Sequence, residues 1–230
     1  MGLKKGKVIV IEGCDGSGKA TQTQKLYERL INEGYIVKKV EYPNYESESS
    51  ALVKMYLNGR FGKNPEDVNP YVASTFYAVD RFASYKTDWK EFYLSGGIII
   101  ADRYTTANMI HQASKIHDLE EKNKFLDWVW EFEFKIFELP VPDCVVFLDM
   151  PPECSRKLMT ERVSKMTGDI DKDIHEKDYE YLIHSYNTSC EISQKYDWLT
   201  INCVDDGKIK SIDKIHNELY ENLKKRVLDT

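Results

Sequence analysis

The stretch KVIVIEGCDGSGKATQ, residues 7–22, decides the fold that this sequence predicts. Residues 7–11 are a short apolar run of the kind that forms a buried β-strand. A glycine-rich turn follows at residues 13–19, and residues 19–33 continue as a helix that ends at Gly34. A strand, a turn of spacing G-x-x-x-x-G-K and a helix, in this order, predict a site that binds phosphate.

The turn matches the P-loop, in which glycines let successive backbone N–H groups converge on phosphate oxygens. Lys19 is predicted to reach the β- and γ-phosphates of a nucleotide as a flexible point charge. Ala20 departs from the motif, because P-loops carry Ser or Thr there to bind Mg²⁺, and Thr21 comes one position too late. The sequence therefore leaves open how a metal is held. The predicted nucleotide-binding residues are Gly13, Cys14, Gly16, Ser17, Gly18, Lys19, Ala20 and Thr21.

Further strands and helices alternate along the chain. Apolar runs predict strands at residues 36–40, 98–101, 144–148 and 199–203, and helix-like segments cover residues 49–57, 72–85, 122–137, 154–164 and 212–227. This alternation predicts an α/β three-layer fold, in which helices flank a parallel sheet of about five strands in a single domain over residues 1–230. The polar residues 164–177 are interpreted as a mobile surface loop, and a solvated connection without a role is an equal alternative.

Composition limits the possible partners. The chain has 230 residues and a formal net charge of −6. This acidity argues against a nucleic-acid polymer, which needs a basic face, but a local positive pocket can still bind a small anion. The longest apolar run, residues 144–148, is far shorter than the roughly 20 residues of a membrane-spanning helix, so no membrane association is expected. Five cysteines without a CxxC pair, and no signal peptide, predict a cytoplasmic protein.

A second polar cluster follows the predicted strand at residues 98–101. Ligands gather at the carboxyl ends of strands in open α/β sheets. If this strand neighbours the first, Asp102 and Arg103 open onto the same crevice as the P-loop. Arg103 can then bind phosphate oxygens bidentately, and Asp102 can hold Mg²⁺ or its water. A salt bridge at the strand end is the alternative.

Four segments, in order, resemble the motifs of thymidylate kinases: residues 11–22, 77–81, 102–112 and 139–153. The resemblance implies transfer of the γ-phosphoryl group of ATP to the 5′-phosphate of dTMP, which gives dTDP for dTTP synthesis. It also implies Mg²⁺ as cofactor, a homodimer, and ATP as the nucleotide of the P-loop. The aromatic residues 128–134 are interpreted either as core or as a dimer interface.

The resemblance also implies roles for single residues. Asp15 would contact the 3′-hydroxyl of dTMP, and Arg103 would bridge the donor and acceptor phosphates. Tyr77 would stack on the thymine ring, although an aromatic residue in such a run is usually core. Arg81 would donate to thymine O4, and Asn108 would make a second contact to the base edge. Taken alone, Arg81 would instead be a solvated charge on a helix.

Some positions depart from the commoner family pattern on the dTMP side. His111 stands where the family has an aromatic residue beside the sugar, and Gln112 follows it in the same dTMP-binding motif. Tyr45 lies near the place of an arginine that binds the acceptor phosphate. Either Arg103 takes over that charge, or a lysine such as Lys54 approaches the phosphate.

The lid, at about residues 154–177, is implied to complete the donor side. Gly16 occupies a P-loop position where some members carry arginine, and members without it take the basic residue from the lid. Arg162 best matches that lid position, and Glu176 resembles a lid acid near the Mg²⁺ network. Two alternatives stay open: another P-loop nucleoside or nucleotide kinase, and, because of Ala20, a non-catalytic nucleotide-binding switch.

Overall fold

The structure, a computed structural model, describes residues 5–165 and 179–229, except for the side chains of residues 160–165. Its centre is a parallel sheet with the strand order β2-β3-β1-β4-β5. This confirms the predicted parallel sheet of about five strands. The first strand pairs with the third, which is the condition for Asp102 and Arg103 to open onto the crevice of the P-loop. The strands are β1 (Lys7–Glu12), β2 (Val37–Glu41), β3 (Ile98–Asp102), β4 (Cys144–Asp149) and β5 (Leu199–Asn202).

Helices cover both faces of this sheet. Three of them continue into π-helical turns, at Tyr85–Trp89, Glu131–Ile136 and Lys224–Leu228. Within the described part of the chain, no helix combines the length and apolar character needed to cross a bilayer. The helices are α1 (Lys19–Asn32), α2 (Ala51–Leu57), α3 (Pro70–Ser84), α4 (Lys90–Leu94), α5 (Thr105–His111), α6 (Leu119–Trp130), α7 (Pro152–Lys165), α8 (Tyr179–Lys195) and α9 (Ile212–Leu223).

Side chains alternate between two apolar clusters because both faces of the sheet are buried. Val8 and Val10 of β1 belong to the cluster beneath α6 and α8. Ile9 and Ile11 belong to the opposite cluster, which contains apolar residues of α1 and α9. All four are fully buried, which explains why the strands read as continuous apolar runs.

Helix starts follow capping groups that the apolar pattern does not show. The helix expected from residue 72 begins at Pro70, because the Asn69 side chain accepts a hydrogen bond from the backbone N–H of Tyr71 at 2.8 Å. The helix expected from residue 122 begins at Leu119, because Asp118 accepts from the backbone N–H of Glu121 at 2.9 Å. An N-cap oxygen satisfies a backbone donor that has no partner in the first helical turn.

Helix α8 was missed by the sequence analysis. Its buried face carries small hydroxyl residues, including Ser185, Ser189 and Ser193, rather than an apolar stripe. Ser185 donates to the carbonyl of Tyr181 at 2.6 Å, and Ser189 donates to that of Ser185 at 2.7 Å. Because these hydroxyls donate to carbonyls of their own helix, they can be buried without losing hydrogen bonds. The buried face of α8 therefore shows no helical period of apolar residues in the sequence.

A two-stranded hairpin was missed as well. The short strands β6 (Val204–Asp205) and β7 (Lys208–Ile209) pair antiparallel around Asp206 and Gly207. Both turn residues have positive φ angles, 47° and 72°. This is the Asp-Gly hairpin signal, which could have been found in the sequence.

Because both faces of the sheet are buried, we expect a substitution at Ile100 of β3 to lower the stability of the fold. Ile100 is fully buried and pairs with Ile9, whereas Ile36, just before β2, is 73% exposed. Replacing Ile100 with Ala removes packed methyl and methylene groups and should lower the free energy of unfolding by about 2–5 kcal/mol. Urea denaturation measures this change, and Ile36→Ala is the control, with an expected change within about 0.5 kcal/mol. Equal effects of the two substitutions would contradict the packing described here.

Candidate active site

The carboxyl ends of β1 and β3 open into a crevice of about 890 Å³. The two strands pair directly, with Ile11 opposite Asp102. Beyond them, the backbone N–H of Arg103 donates to the carbonyl of Ile11 at 3.1 Å. The turn at residues 13–19 and the segment after β3 therefore meet at one edge of the sheet, as the sequence predicts.

The phosphate-binding turn forms one wall of the crevice. Residues 15–21 line it, and Gly18, with φ at 88°, precedes the first residue of α1. The Nζ of Lys19 donates to the carbonyl of Cys14 at 3.0 Å and lies 3.6 Å from Oδ1 of Asp15. The lysine is thus folded back over its own turn, where it is held near the place of a phosphate.

Gly13 and Cys14 lie behind this wall. Neither is among the residues that line the crevice, and the thiol of Cys14 donates to the carbonyl of Met150 at 3.2 Å. Burial raises the pKa of this thiol. A side chain added at Gly13, which has φ at 155°, would meet Oγ of Ser17 at 2.6 Å.

Helix α7 packs against the turn at Gly16. A Cβ atom at Gly16 would lie 2.8 Å from the carbonyl oxygen of Ser155 and 2.7 Å from Cγ of Met159. Gly16 also has a φ angle of 77°, which L-residues rarely adopt. The base of the predicted lid region therefore occupies the space that a larger residue at position 16 would need.

Arg103 is the centre of a charged group that joins the turn to α5. Its Nη2 donates to Oδ1 of Asp15 at 2.6 Å, and its Nη1 lies 2.6 Å from Nε2 of His111. Arg103 adopts the left-handed region with φ at 63°, a conformation that these contacts stabilise. Burial alone would raise the pKa of Asp15, but the charges of Arg103 and Lys19 hold it well below its ordinary value.

A buried acid, Glu12, lies under this group. Its Oε1 accepts hydrogen bonds from the hydroxyl of Thr106 at 2.6 Å and from the backbone N–H of Tyr104 at 3.4 Å. Its Oε2 lies 3.9 Å from Nη1 of Arg103. Burial raises the pKa of Glu12, and the charge of Arg103 opposes that shift. The sequence analysis gave Glu12 no role, although it directly precedes the turn.

Tyr77, Arg81 and Asn108, the residues expected to bind thymine, line the crevice together. Arg81 is 1% exposed, so the alternative of a solvated helix charge is wrong. Its Nε and Nη2 both donate to the carboxylate of Glu133 at 2.6 Å. Burial alone would lower the pKa of the Arg81 guanidinium. The charge and hydrogen bonds of Glu133 outweigh the effect of burial, so the pKa is raised.

The remaining residues expected on the dTMP side also line the crevice: Tyr45, His111 and Gln112. The Nζ of Lys54 donates to the carbonyl of Tyr45 at 3.0 Å, so this lysine supports the loop after β2. The ring of His111 stacks on Tyr181 of α8 with the ring centroids 6.2 Å apart. The Tyr181 hydroxyl also donates to the carbonyl of His111 at 3.1 Å. Helix α8 thus supports the site, a contribution that the sequence analysis missed.

A further wall of the crevice is formed by residues that the sequence analysis did not select. The amide nitrogen of the Gln22 side chain donates to the carbonyl of Ile212 at 3.0 Å, which ties α1 to α9. No spacing motif marks this wall, so only the fold reveals it. Its lining residues include Met150, Leu158, Ile209, Lys210, Ser211, Ile212 and Ile215.

Two predicted lid residues fall outside this geometry. Arg162 belongs to α7, but its side chain is not among those described. Glu176 lies outside the described residues.

Comparisons with known proteins agree with the motifs. The thymidylate kinase family model matches residues 11–211. A thymidylate kinase of Mycobacterium tuberculosis is 28% identical over 207 residues, which cover 88% of this chain and 94% of the relative. One of Plasmodium falciparum is 25% identical over 222 residues, which cover 96% and 91%. The solved thymidylate kinase of Candida albicans has a TM-score of 0.66 at 22% identity, covering 96% of this chain and 92% of that one, and shows the shared fold. Because the family match spans most of its length, this chain belongs to the thymidylate kinase family.

Proposed function

We propose that the crevice transfers the γ-phosphoryl group of ATP to the 5′-phosphate of dTMP, giving dTDP for dTTP synthesis. One observation carries the assignment to this crevice. Arg103 contacts Asp15 of the phosphate-binding turn and His111 of α5, the helix that also carries Asn108. The guanidinium thus lies between the donor and acceptor ends of one crevice, where a transferring phosphoryl group needs positive charge.

Phosphoryl transfer needs alignment and charge stabilisation more than covalent help from the protein. Lys19 and the backbone N–H groups of the turn bind the ATP phosphates. Arg103 bridges the donor and acceptor phosphates, and its contacts with Asp15 and His111 set its orientation. Asp15, which its neighbours keep ionised, accepts a hydrogen bond from the 3′-hydroxyl of dTMP.

The acceptor end recognises the nucleoside. Tyr77 stacks on the thymine ring, a contact worth roughly 1–3 kcal/mol. Arg81 and Asn108 read the base edge, and His111 packs beside the sugar. Tyr45, which is 49% exposed at the mouth of the crevice, binds the acceptor phosphate. Gln112 lines the same wall and completes the dTMP-binding set.

Mg²⁺ fits this site as a partner of the substrate phosphates. Among the described residues, no three His, Cys, Asp or Glu side chains form a metal cluster. Mg²⁺ commonly keeps several waters and binds one or two carboxylates together with phosphates. Asp102 lines the crevice and is the carboxylate that would hold the ion or its water. When bound, the ion neutralises charge on the phosphates of ATP.

The lid assignment rests on the contact between α7 and Gly16. Because Ser155 and Met159 fill the space at that glycine, the basic residue that other members carry there must come from elsewhere. Arg162, further along α7, is the proposed donor-side arginine, and Glu176 is the proposed acid near Mg²⁺. Both belong to a lid at about residues 154–177 of one domain covering residues 1–230.

The first test is a screen of acceptors with ATP and Mg²⁺ in a coupled ADP-release assay. Turnover is expected with dTMP and little with dCMP or dAMP, because the base edge is read by fixed groups. Addition of EDTA should abolish the activity, and excess Mg²⁺ should restore it. Preference for a free nucleoside or another monophosphate would favour a different P-loop kinase. ATP binding without any transfer would favour the nucleotide-binding switch.

The role of Arg103 predicts a specific kinetic change in Arg103→Ala. Loss of the guanidinium should lower kcat by about 10³-fold or more, since such arginines act on the transferring group. The KM for dTMP should change far less, because base and sugar contacts remain. Steady-state kinetics separates the two parameters, and the exposed Arg60→Ala is the matched control. A near-normal kcat in Arg103→Ala would reject the bridging role.

The proposal of a homodimer rests on exposed apolar side chains at two neighbouring segments, Val72 and Val79 of one and Ile136 of the other. These side chains are 48%, 44% and 64% exposed, and they lie on α3 and on the π-helical turn after α6. The nearby rings of Phe82 and Phe137, 5.0 Å apart, are only partly buried. Within the aromatic segment at residues 128–134, Val129 and Phe134 belong to the core.

The substitution Val79→Glu should convert the dimer to a monomer, because it places a charge in an apolar interface. Sedimentation velocity at micromolar concentration measures the mass. Ile31→Glu, at a residue of α1 that is 44% exposed, is the control and should stay dimeric. A monomeric wild type, or a dimeric Val79→Glu variant, would overturn the interface proposed at Val79.

The cysteines support a cytoplasmic location. All five are free thiols, as expected in a reducing compartment. Recovery of the protein from an oxidising compartment on cell fractionation would contradict this location.

A further inference from the structure

Glu133 is a fully buried acid that none of the roles above explains. It belongs to the π-helical turn after α6, within an aromatic segment. Its Oε1 accepts from Nη2 of Arg81 at 2.6 Å and from Nδ2 of Asn108 at 2.8 Å. Its Oε2 accepts from Nε of Arg81 at 2.6 Å and from the hydroxyl of Thr105 at 3.1 Å. These four hydrogen bonds fill the acceptor capacity of a carboxylate.

The carboxylate fixes which way the Asn108 amide faces. The amide nitrogen donates to Glu133 and also to the carbonyl of Ser74 at 3.1 Å, so both of its hydrogens are used inside the protein. Since Asn108 lines the crevice, the amide offers its oxygen to a ligand there. The reversed amide would place its oxygen against the carboxylate of Glu133 and the carbonyl of Ser74, which is unfavourable because all three groups are acceptors.

The same carboxylate fixes Arg81. It occupies Nε–H and one N–H of Nη2 in a bidentate pair, so the two N–H groups of Nη1 and the second N–H of Nη2 lie outside that pair. Arg81 therefore offers hydrogen-bond donors and Asn108 offers an acceptor to the crevice that both line, and one buried anion orients both.

This pattern matches only one kind of pyrimidine edge. A 4-oxo pyrimidine such as thymine offers an acceptor at O4 and a donor at N3–H, whereas cytosine offers a donor at N4 and an acceptor at N3. We propose that Glu133 is a positioning residue that sets base selectivity, because it orients Arg81 toward O4 and Asn108 toward N3–H. The inference rests on the proposed function and names the residue behind its selectivity.

A purely stabilising role is a weaker explanation of this pair. Burying two charges costs desolvation, and buried ion pairs are often no more stabilising than apolar residues of similar size. Glu133 instead accepts four hydrogen bonds and contacts both residues that are proposed to bind the base. This arrangement matches a site whose donors and acceptors must be fixed before the ligand arrives.

The substitution Glu133→Gln tests the proposal, with Glu131→Gln as the matched control. Glu131 lies in the same helical turn, is exposed, and pairs with Lys135 at 2.6 Å. The substitution Glu133→Gln removes the charge and replaces one acceptor oxygen by an NH₂ donor, so the side chain can no longer accept both hydrogen bonds of the Arg81 pair. With the amide oxygen in place of Oε1, the NH₂ faces Nε of Arg81, and with the oxygen in place of Oε2, the NH₂ faces Nη2 of Arg81 and the Asn108 amide. The KM for dTMP should rise more than kcat falls, and the preference for dTMP over dCMP should drop about 10-fold or more. The KM for ATP should stay unchanged, which a general loss of structure would not allow.

A second variant keeps the test decisive if Glu133→Gln does not fold. Glu133→Asp retains the charge but is one methylene shorter, so it cannot reach all of its partners at once. The Glu133→Asp variant should fold. Its preference for dTMP over dCMP should also fall, but by less than in the Glu133→Gln variant. A folded variant of either type with wild-type selectivity and dTMP KM overturns the positioning role. A wild type without preference for dTMP would instead overturn the proposed function, so the two failures are distinguishable.

Discussion

The parallel pairing of β1 with β3 is the constraint on which the site depends. Strands that run side by side in the same direction end at the same edge, so their following segments meet without any special contact. Here one strand is followed by the phosphate-binding turn and the other by Asp102 and Arg103. The backbone bond from Arg103 to Ile11 secures the junction. Helix α5, which starts at Thr105, then carries the dTMP-side residues away from that point.

Positive charge in the crevice is held by buried or partly buried acids. Lys19 lies beside Asp15, Arg103 contacts Asp15, and Arg81 is paired with Glu133. This arrangement reconciles a chain of net charge −6 with a site for two phosphorylated ligands. The pairs also orient the cations in advance, so little reorganisation is needed when charge spreads over the transferring group.

Much of the fold and part of the site follow from the sequence. Local sequence patterns mark three features: the P-loop spacing, the apolar strands and the Asp-Arg pair after β3. Helix α8 lacked such a signal because its buried hydroxyls bond to its own backbone. Glu133 lacked one because it stands 52 residues from Arg81 and 25 from Asn108. An acid within an aromatic run shows its partners only when the fold brings them together.

The carboxylate that Arg81 and Asn108 share also restricts how this enzyme can change during evolution. Arg81 of α3, Asn108 of α5 and Glu133 after α6 lie on three different segments, yet they form one hydrogen-bonded unit. A substitution at one of them leaves a buried charge or amide without its partner, which destabilises the whole domain. A new base preference therefore requires coordinated changes on separate segments. A single substitution costs stability at the same time as it alters the groups that face the crevice, so the packing of the core restrains change at the proposed base-recognition site.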